Sequence, residues 1–213
     1  MKFSKKGDGG ETSLLGGQRI PKYDPRPDTY GTLDEASSVL GVARAMVKND
    51  KVKEIILGVQ RDLLIIGADL STLPADVHLL KRRIGEGDVG RLEGIIDDLQ
   101  KDVKLKDEFI YPGETVVSAQ IDVARTIIRR AERKAGRLKS EGLIANDEIL
   151  RHLNRLADML FVLARFEEQR ENGNSRAIEN RDTGERSGPE TDALGGRQAE
   201  GAIPRLNDQN YRD

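Results

Sequence analysis

The sequence predicts an all-α protein: an antiparallel five-helix bundle with a Gly/Lys-rich N-terminal loop and a disordered C-terminal tail. Apolar residues recur at alternating steps of three and four in five stretches, which is the spacing of one buried helix face. The connections are short, and no stretch alternates with the two-residue period of a strand. Charged residues make up 34% of the chain and aromatic residues 4%, which favours helices with solvated outer faces.

Residues 1–27 are expected to form a long structured loop or a flexible arm. They are rich in glycine, proline and hydroxyl residues and follow neither a helical nor a strand period. Glycines allow close backbone approach to a ligand, and the cations Lys5, Lys6, Arg19 and Lys22 suit phosphates. The segment has no Walker A motif and no dinucleotide fingerprint after a strand. A terminus of this composition that is simply mobile is the alternative.

Residues 28–171 are predicted to form the bundle. Asp28 or Thr29 is expected to cap the first helix, because either side chain can accept a hydrogen bond from a free backbone amide. Asn49 interrupts the apolar period and restarts it in a second helix, which should end at Pro74. The predicted core residues of these helices are Leu33, Ala36, Leu40, Ala43, Val47, Val52, Ile56, Val59, Leu63, Ile66, Leu70 and Leu73.

Two further helices are predicted on either side of the fourth. The third should span roughly residues 88–103, and the fifth should follow Asn146, a good N-cap that precedes two acidic residues. From residue 172 to residue 213 the chain is polar and Gly-rich, so this tail is expected to be disordered. The predicted core residues are Leu92, Ile95 or Ile96, Leu99, Val103, Ile149, Leu153, Leu156, Leu160 and Leu163.

The fourth helix, predicted from Thr115 to Leu138, carries two stripes about 100° apart, one apolar and one polar. A polar line beside a core seam is typical of the wall of a buried charged site, although solvated surface charges give the same spacing. Asn154 and Asp158 flank the seam of the fifth helix in the same way. The apolar stripe contains Val117, Ile121, Ala124, Ile128, Ala131, Ala135 and Leu138, and the polar stripe contains Ser118, Asp122, Arg125, Arg129 and Glu132.

The composition excludes several classes of function. A net charge of −2 is unlike the basic footprint of a nucleic-acid-binding protein, and no apolar run is long enough to span a bilayer. We therefore expect neither nucleic acid nor a membrane as partner, and a cytoplasmic location. There is no cysteine, two isolated histidines cannot build an imidazole cage, and the Glu-x-x-His pairs of di-iron bundles are missing, so we expect no metal site.

Four motifs occur in order along the chain. They are KKGDGGETSLLGGQRIPK followed by YGTLDE, then FIYPG, ARTIIRRAER and LNRLADMLFVLARF. Together they resemble the PduO-type ATP:cob(I)alamin adenosyltransferases, and the resemblance covers residues 3 to about 168 without large gaps. It implies a five-helix bundle that trimerises, with ATP and the corrinoid bound at each subunit interface.

The reaction implied by this resemblance is attack of the cobalt of cob(I)alamin on the 5′ carbon of ATP. It releases triphosphate and forms adenosylcobalamin, for which a downstream cobalamin-dependent enzyme would be a further partner. ATP is then the co-substrate, cobalamin the substrate, and Mg²⁺ the accompanying ion. Because triphosphate is the leaving group, the reaction needs cations around its oxygens more than it needs a general base.

The resemblance also implies which residues form the site. Asp34 and Arg125 would pair across subunits to hold the closed site, and Phe109 would stand beside the lower face of the corrin. Arg129 would act in catalysis and also bind ATP. The other nucleotide or cofactor contacts carried over are Gly7, Asp8, Gly10, Thr12, Ser13, Lys22, Glu132, Asn154 and Asp158.

Two stretches depart from the family pattern. Ser4 and Lys6 stand where Thr-x-Thr is usual, so a cation replaces one phosphate-facing hydroxyl, and Glu114 follows Pro112 and Gly113 where a second glycine is common. A different class of function therefore stays open: a non-catalytic trimer that binds ATP or cobalamin as a carrier or sensor. The enzyme is favoured by the joint presence of Asp34, Arg125, Arg129, Glu132 and Asn154.

Overall fold

The computed structural model describes residues 5–103, 105 and 110–183, with side chains described as far as residue 171. Within these ranges five α-helices pack around one hydrophobic core, and a small β-hairpin precedes them. The helical prediction is confirmed. The strands are β1 (Glu11–Ser13) and β2 (Arg19–Pro21), and the helices are α1 (Pro25–Met46), α2 (Asp50–Leu70), α3 (Glu86–Gln100), α4 (Val116–Ser140) and α5 (Glu148–Thr183).

Helix α4 lies between α1 and α5, while α2 packs on α1 and α3 packs on α5. The predicted core is confirmed at nearly every position, because the apolar period fixes which face of each helix turns inward. Ile95 and Ile96 are only partly buried and pack against the core. Leu73 is half-buried, because α2 ends at Leu70 and the helical period no longer applies there.

Helix α1 begins before the predicted caps. Its N-cap is Asp24, whose Oδ1 accepts a hydrogen bond from the backbone amide of Arg26 at 2.9 Å. Pro25 occupies the first helical position, where its missing N–H costs nothing and its fixed φ suits the helix. The prediction of Asp28 or Thr29 was wrong because it counted this proline with the preceding loop. The boundary expected at residue 27 therefore falls inside α1.

Other helix ends also differ from the sequence prediction. Helix α2 stops at Leu70, and Pro74 starts a short 3₁₀ segment that runs to Leu79. Helix α5 continues through Thr183, past residue 171, where we expected the helix to give way to a disordered tail; residues 184–213 lie outside the described residues. Long as these helices are, none in the described part of the chain has the apolar length needed to cross a membrane.

The N-terminal segment is folded rather than irregular. Strands β1 and β2 pair antiparallel, and three residues per strand are too few to show a period in the sequence. Arg19 holds the segment together, donating to the Lys6 carbonyl at 2.7 Å and to Ser13 Oγ at 3.1 Å. The hairpin loop is fixed to the bundle because Leu14 is buried and the Leu15 amide donates to the Ser71 carbonyl at 2.9 Å.

Candidate functional site

Helices α3, α4 and α5 border an open cavity of about 430 Å³, which we name the arginine cavity. Three of its residues are arginines, Arg125 and Arg129 from α4 and Arg155 from α5, and one is a carboxylate, Asp158. Three guanidinium groups against one carboxylate make this wall cationic, which suits a phosphate-bearing ligand. The remaining lining residues are Ile96, Gln100, Leu105, Ala157, Phe161 and Val162.

The two α4 arginines are held differently. The Arg129 side chain is exposed and forms no hydrogen bond or ion pair with the residues that the structure describes. Arg125 is half-buried, and its Nε donates to Asp122 Oδ1 at 2.8 Å. Arg129 is thus available to an anionic ligand, whereas Arg125 is oriented by its own helix.

Asp122 anchors a buried charge network beneath the cavity. Its second oxygen, Oδ2, accepts a hydrogen bond from Arg165 Nη2 at 2.5 Å, and both side chains are about 4% exposed or less. Glu168 Oε1 accepts from the same Arg165 nitrogen at 2.8 Å. The Phe161 ring centroid lies 6.0 Å from Arg125 Cζ and 5.4 Å from Arg165 Cζ, so both cations also contact an aromatic ring.

Other predicted site residues lie on the facing sides of α4 and α5. Asn154 Nδ2 donates to Glu132 Oε1 at 3.2 Å, which brings two predicted ATP contacts together. Asp158 Oδ2 accepts from Arg155 Nη1 at 2.8 Å, and Glu93 holds the Nε of the same arginine at 3.1 Å. The structure therefore places Arg125, Arg129, Glu132, Asn154 and Asp158 on one pair of helices, as the polar stripes predicted.

Ser118, the first residue of the predicted polar stripe, has a structural role. It is fully buried, and its amide donates to Thr115 Oγ1 at 3.1 Å while its hydroxyl accepts from the Thr115 amide at 3.2 Å. This reciprocal capping box starts α4.

A second cavity of about 430 Å³ lies between α1 and α2, beside the hairpin; we name it the arm-side cavity. Ser13 from β1 and Asp34 from α1 line it, and Asp34 is exposed and has no ion pair among the described residues. Burial raises the pKa of Tyr30, a third lining residue, and a hydrogen bond with Thr12 opposes the shift. The other lining residues are Leu33, Ser37, Gln60, Leu63, Leu64, Gly67, Ala68 and Ser71.

The predicted phosphate-binding residues of the N-terminal segment cluster near β1. Gly10 has φ 81°, in the left-handed region that favours glycine, and its carbonyl accepts from the Lys22 amide at 2.8 Å. The Lys22 ammonium lies so close to Gly7 that a β-carbon there would be 3.2 Å from Nζ. Asp8 is exposed next to them. A cation, a hydroxyl-bearing strand and a glycine backbone therefore share one surface.

In a single chain the predicted site is divided between these two places. The arm residues and Asp34 belong to the arm-side cavity and its hairpin, whereas Arg125 and Arg129 belong to the arginine cavity. Within the described ranges no hydrogen bond or ion pair joins Asp34 to Arg125, whose partner is Asp122 instead. Phe109 lies outside the described residues.

Sequence reasoning missed a second buried charge cluster. Asp62 is 3% exposed, and its Oδ2 contacts Arg91 and the fully buried His152, whose Nε2 lies 3.2 Å away. Burial acts to raise the pKa of Asp62, but the hydrogen bond with His152 and the charge of Arg91 outweigh it and leave that pKa lowered. The partners are on three different helices, so no spacing in the sequence indicates them.

The donor groups of the described residues do not form a metal cage. No group of three or more His, Asp or Glu side chains in the described ranges is placed to bind a metal ion. Mg²⁺ in nucleotide sites usually keeps several waters and binds substrate phosphates with only one or two protein carboxylates. The exposed Asp8 and Asp34 fit that limited role.

The fold is that of a helical protein with two separate cavities, one lined by hydroxyl groups and one lined by arginines. A family model described as cobalamin adenosyltransferase matches residues 2–167 of the chain. The chain therefore belongs to the cobalamin adenosyltransferase family.

Curated relatives agree with this assignment. The chain is 42% identical over 170 residues to a corrinoid adenosyltransferase from Citrobacter freundii, an alignment that covers 78% of this chain and 94% of the relative. It is 35% identical over 169 residues to a corrinoid adenosyltransferase from Mycobacterium leprae, covering 76% and 88%. The corrinoid adenosyltransferase PduO of Citrobacter freundii is 33% identical over 166 residues, with 78% of this chain covered, and the match spans only 49% of that protein.

Solved structures give the same assignment. A phenylalanine-to-histidine variant of the PduO-type ATP:corrinoid adenosyltransferase from Lactobacillus reuteri, complexed with cobalamin and ATP, is similar with a TM-score of 0.74 and 34% identity, covering 80% of this chain and 92% of that chain. An arginine-to-lysine variant of the Lactobacillus reuteri enzyme, complexed with ATP, has a TM-score of 0.73 at 34% identity and covers 80% and 95%.

Proposed function

We propose that this protein is an ATP:corrinoid adenosyltransferase, which transfers the 5′-deoxyadenosyl group of ATP to the cobalt of cob(I)alamin and releases triphosphate. One observation carries the proposal: in a member of the cobalamin adenosyltransferase family, Arg125 and Arg129 line a single cationic cavity. Relatives named corrinoid adenosyltransferase, and a related structure complexed with cobalamin and ATP, support the choice of substrates.

The transfer forms a bond between cobalt and C5′ with an electron pair of the cobalt(I), and it breaks the C5′–O bond. The electron pair of the broken bond leaves on triphosphate, so the protein has to supply neither a nucleophile nor a proton. It has to stabilise the negative charge that develops on the leaving oxygen. Arg129 suits this role because its guanidinium is exposed to the cavity and has no ion-pair partner in the described chain.

The hairpin segment would bind the triphosphate and adenosine of ATP. Its Gly7 and Gly10 backbone, the Lys22 ammonium and the Thr12 and Ser13 hydroxyls offer the donors that phosphate oxygens need. Asp8 lies at the same surface, where a Mg²⁺ ion bound mainly by the phosphates and water would find a carboxylate. Glu132 and Asn154 would contact the nucleotide from α4 and α5.

We also propose an antiparallel five-helix arrangement that assembles as a homotrimer. Ion pairs join Asp28 to Lys134 and Glu35 to Arg130, so residue numbers rise along α1 as they fall along α4, which supports opposite directions. The division of the site between two cavities supports assembly, because Asp34 of one subunit would meet Arg125 of the next. Sedimentation equilibrium of the purified protein measures the oligomer, and a monomer would contradict this proposal.

A mixing experiment tests whether the site is shared between subunits. Asp34→Ala and Arg125→Ala should each lose activity alone. When the two variants are unfolded together and refolded, some interfaces combine an intact Asp34 with an intact Arg125, so part of the activity should return. If the mixture is no more active than the two variants refolded separately, each subunit has its own complete site.

The activity itself is tested by mixing the protein with ATP and chemically reduced cobalamin. Formation of adenosylcobalamin is followed by its absorbance spectrum, and triphosphate is measured by chromatography. Stoichiometric binding of both ligands without turnover would instead favour the non-catalytic carrier or sensor. Since ATP is supplied in the cytoplasm, we propose that the protein acts there, which cell fractionation can test.

We propose, on the family resemblance alone, that Phe109 acts beside the lower face of the corrin by excluding an axial ligand. An apolar ring offers the cobalt no donor atom, so a four-coordinate cobalt(II) form that is easier to reduce would be favoured. Phe109→Ala should abolish the spectrum of four-coordinate cobalt(II) and slow turnover from cob(II)alamin more than from pre-reduced cob(I)alamin. Equal losses from both substrates, in proportion to lost stability, would contradict the exclusion role.

A further inference from the structure

We propose that Asp122 is a positioning residue that orients Arg125 for its work in the arginine cavity. The inference deepens the proposed function and rests on it. Asp122 is buried beneath the cavity and does not line it, so it acts through Arg125 and not by contact with substrate. It was part of the polar stripe in the sequence, but nothing in the spacing separates it from the residues that face the ligand.

The contact between the two side chains determines where the guanidinium points. Asp122 Oδ1 accepts a hydrogen bond from Arg125 Nε at 2.8 Å, so the Arg125 guanidinium group is held along its Nε edge. Its two terminal nitrogens make no hydrogen bond with the described residues and remain available on the cavity side. A guanidinium offers five donors in a rigid plane, so fixing Nε also fixes the direction of the terminal pair.

Asp122 is itself held so that it cannot follow Arg125 outward. Arg165 Nη2 donates to its Oδ2 at 2.5 Å, and Glu168 forms an ion pair with Arg165: its Oε1 accepts from Nη2 at 2.8 Å, and its Oε2 lies 2.7 Å from Nε. The network pairs two carboxylates with two guanidinium groups and adds no net charge beneath the cavity. Because Asp122 is fixed in this way, substrate binding does not have to order the Arg125 side chain first.

The test compares two buried aspartates that each hold an arginine. Asp122→Asn keeps the shape of the side chain but weakens its hold on Arg125, and we expect kcat/KM for adenosylcobalamin formation to fall roughly 10- to 100-fold. Asp69→Asn is the matched control, because Asp69 is 5% exposed and binds Arg83 through Nε and Nη2 at 2.9 and 3.1 Å, and neither residue lines either cavity. Melting temperatures should fall by similar amounts, while the control keeps wild-type kcat/KM.

A second variant serves if Asp122→Asn does not fold. Arg125→Lys leaves Asp122 paired with Arg165, and a lysine ammonium cannot both occupy the Nε position and face the cavity. It should fold with a nearly unchanged melting temperature and lose kcat/KM by a factor similar to that of Asp122→Asn. In the double variant Asp122→Asn/Arg125→Lys, the two losses should not multiply, because both break one contact.

Each outcome is decisive. Wild-type kcat/KM in Asp122→Asn or in Arg125→Lys, an equal fractional loss in Asp69→Asn, or losses that multiply in the double variant would each overturn the positioning role while the proposed function stands. A wild-type protein that forms no adenosylcobalamin would overturn the proposed function, and the inference with it. Selective loss in Asp122→Asn with non-multiplying losses supports the inference.

Discussion

The buried charge clusters of the core and the arginine cavity are built from the same residue types, but they differ in what they leave unsatisfied. Asp69 accepts two hydrogen bonds from Arg83 and a third from Asn146 Nδ2 at 3.0 Å, so both of its oxygens are engaged within the fold. Arg129 is the opposite case, a cavity-facing cation with no side-chain partner in the described chain. Fully satisfied charge fixes the fold, whereas unsatisfied charge at a cavity is available for function.

Asp122 combines both properties. It is as buried as Asp62 and Asp69, yet one of its partners, Arg125, reaches a cavity. Burial alone therefore does not separate structural from functional charges. The distinguishing feature is whether the partner of the buried carboxylate lines a cavity: Arg125 lines the arginine cavity, whereas Arg83 and Arg91 line neither of the two cavities.

The largest expected effect is a loss of stability when a buried charge cluster of the core is broken. Asp62→Ala leaves Arg91 without its carboxylate and the fully buried His152 without its hydrogen bond, and it should lower the free energy of unfolding by about 3–5 kcal/mol. Urea unfolding measures the loss, and kcat/KM of the folded fraction should not change. Asp98→Ala is the control: its ion pair with Lys51 is exposed, so its melting temperature should stay close to wild type. Equal losses in both variants would show that burial of the aspartate does not matter.

The next largest effect is a loss of activity when a cation of the arginine cavity is removed. Arg129→Ala should reduce kcat/KM by about 10²- to 10³-fold, as for other single donors that stabilise a developing anion, with no change in melting temperature. Arg137→Ala provides a control on the same helix, since Arg137 is exposed and pairs with Glu141 instead of facing the cavity. Wild-type kinetics in Arg129→Ala would mean that Arg129 is an ordinary surface charge.

The helical period predicted the fold and the core because burial of one face repeats regularly along each helix. The same reasoning placed Arg125 and Arg129 on one line of α4, and the structure puts both on one cavity. It could not find Asp62 with His152, because their contact joins α2 to α5 and depends on how the helices pack. The sequence prediction was also wrong at Pro25, because a residue typical of loops occupies the first position of a helix there.

A smaller effect is expected where the hairpin meets the bundle. A β-carbon on Gly16 would clash with Asp76 Oδ2, so Gly16→Ala must displace the Asp76 carboxylate that accepts from Gln18 Nε2 at 2.7 Å. The hairpin should open more easily, by roughly 1–3 kcal/mol. Trypsin should then cleave faster within residues 5–22. Gly9→Ala is the control, because a β-carbon at Gly9 meets nothing within 4 Å, and equal protease sensitivity of both variants would contradict the anchoring role of this contact.

The smallest expected effect is on stability and concerns Glu167 on α5. Its carboxylate is buried, but unlike that of Asp69 it is not fully hydrogen-bonded. Its Oε2 has no hydrogen-bond partner in the described part of the chain, and its pKa is raised, first by burial and then by the charge of Glu171, against the opposing charge of Arg170. A carboxyl group with a raised pKa contributes its full stability below the unfolded pKa, about 4.3, and that contribution is lost as the pH rises through the folded pKa.

Glu167→Gln removes this titration, so it should be more stable than wild type at pH 7, by roughly 1 kcal/mol or 2–4 °C in melting temperature. The difference should disappear near pH 4, where the wild-type carboxyl is protonated. The neighbouring Glu168→Gln should behave in the opposite way, because Glu168 accepts from Arg165 and loses a charged partner at pH 7. Thermal melts of both variants at pH 4 and pH 7 measure the two signs. A Glu167→Gln variant that is destabilised at pH 7 would mean that this carboxylate is paired in the assembled protein, and it would then belong with the satisfied charges of the core.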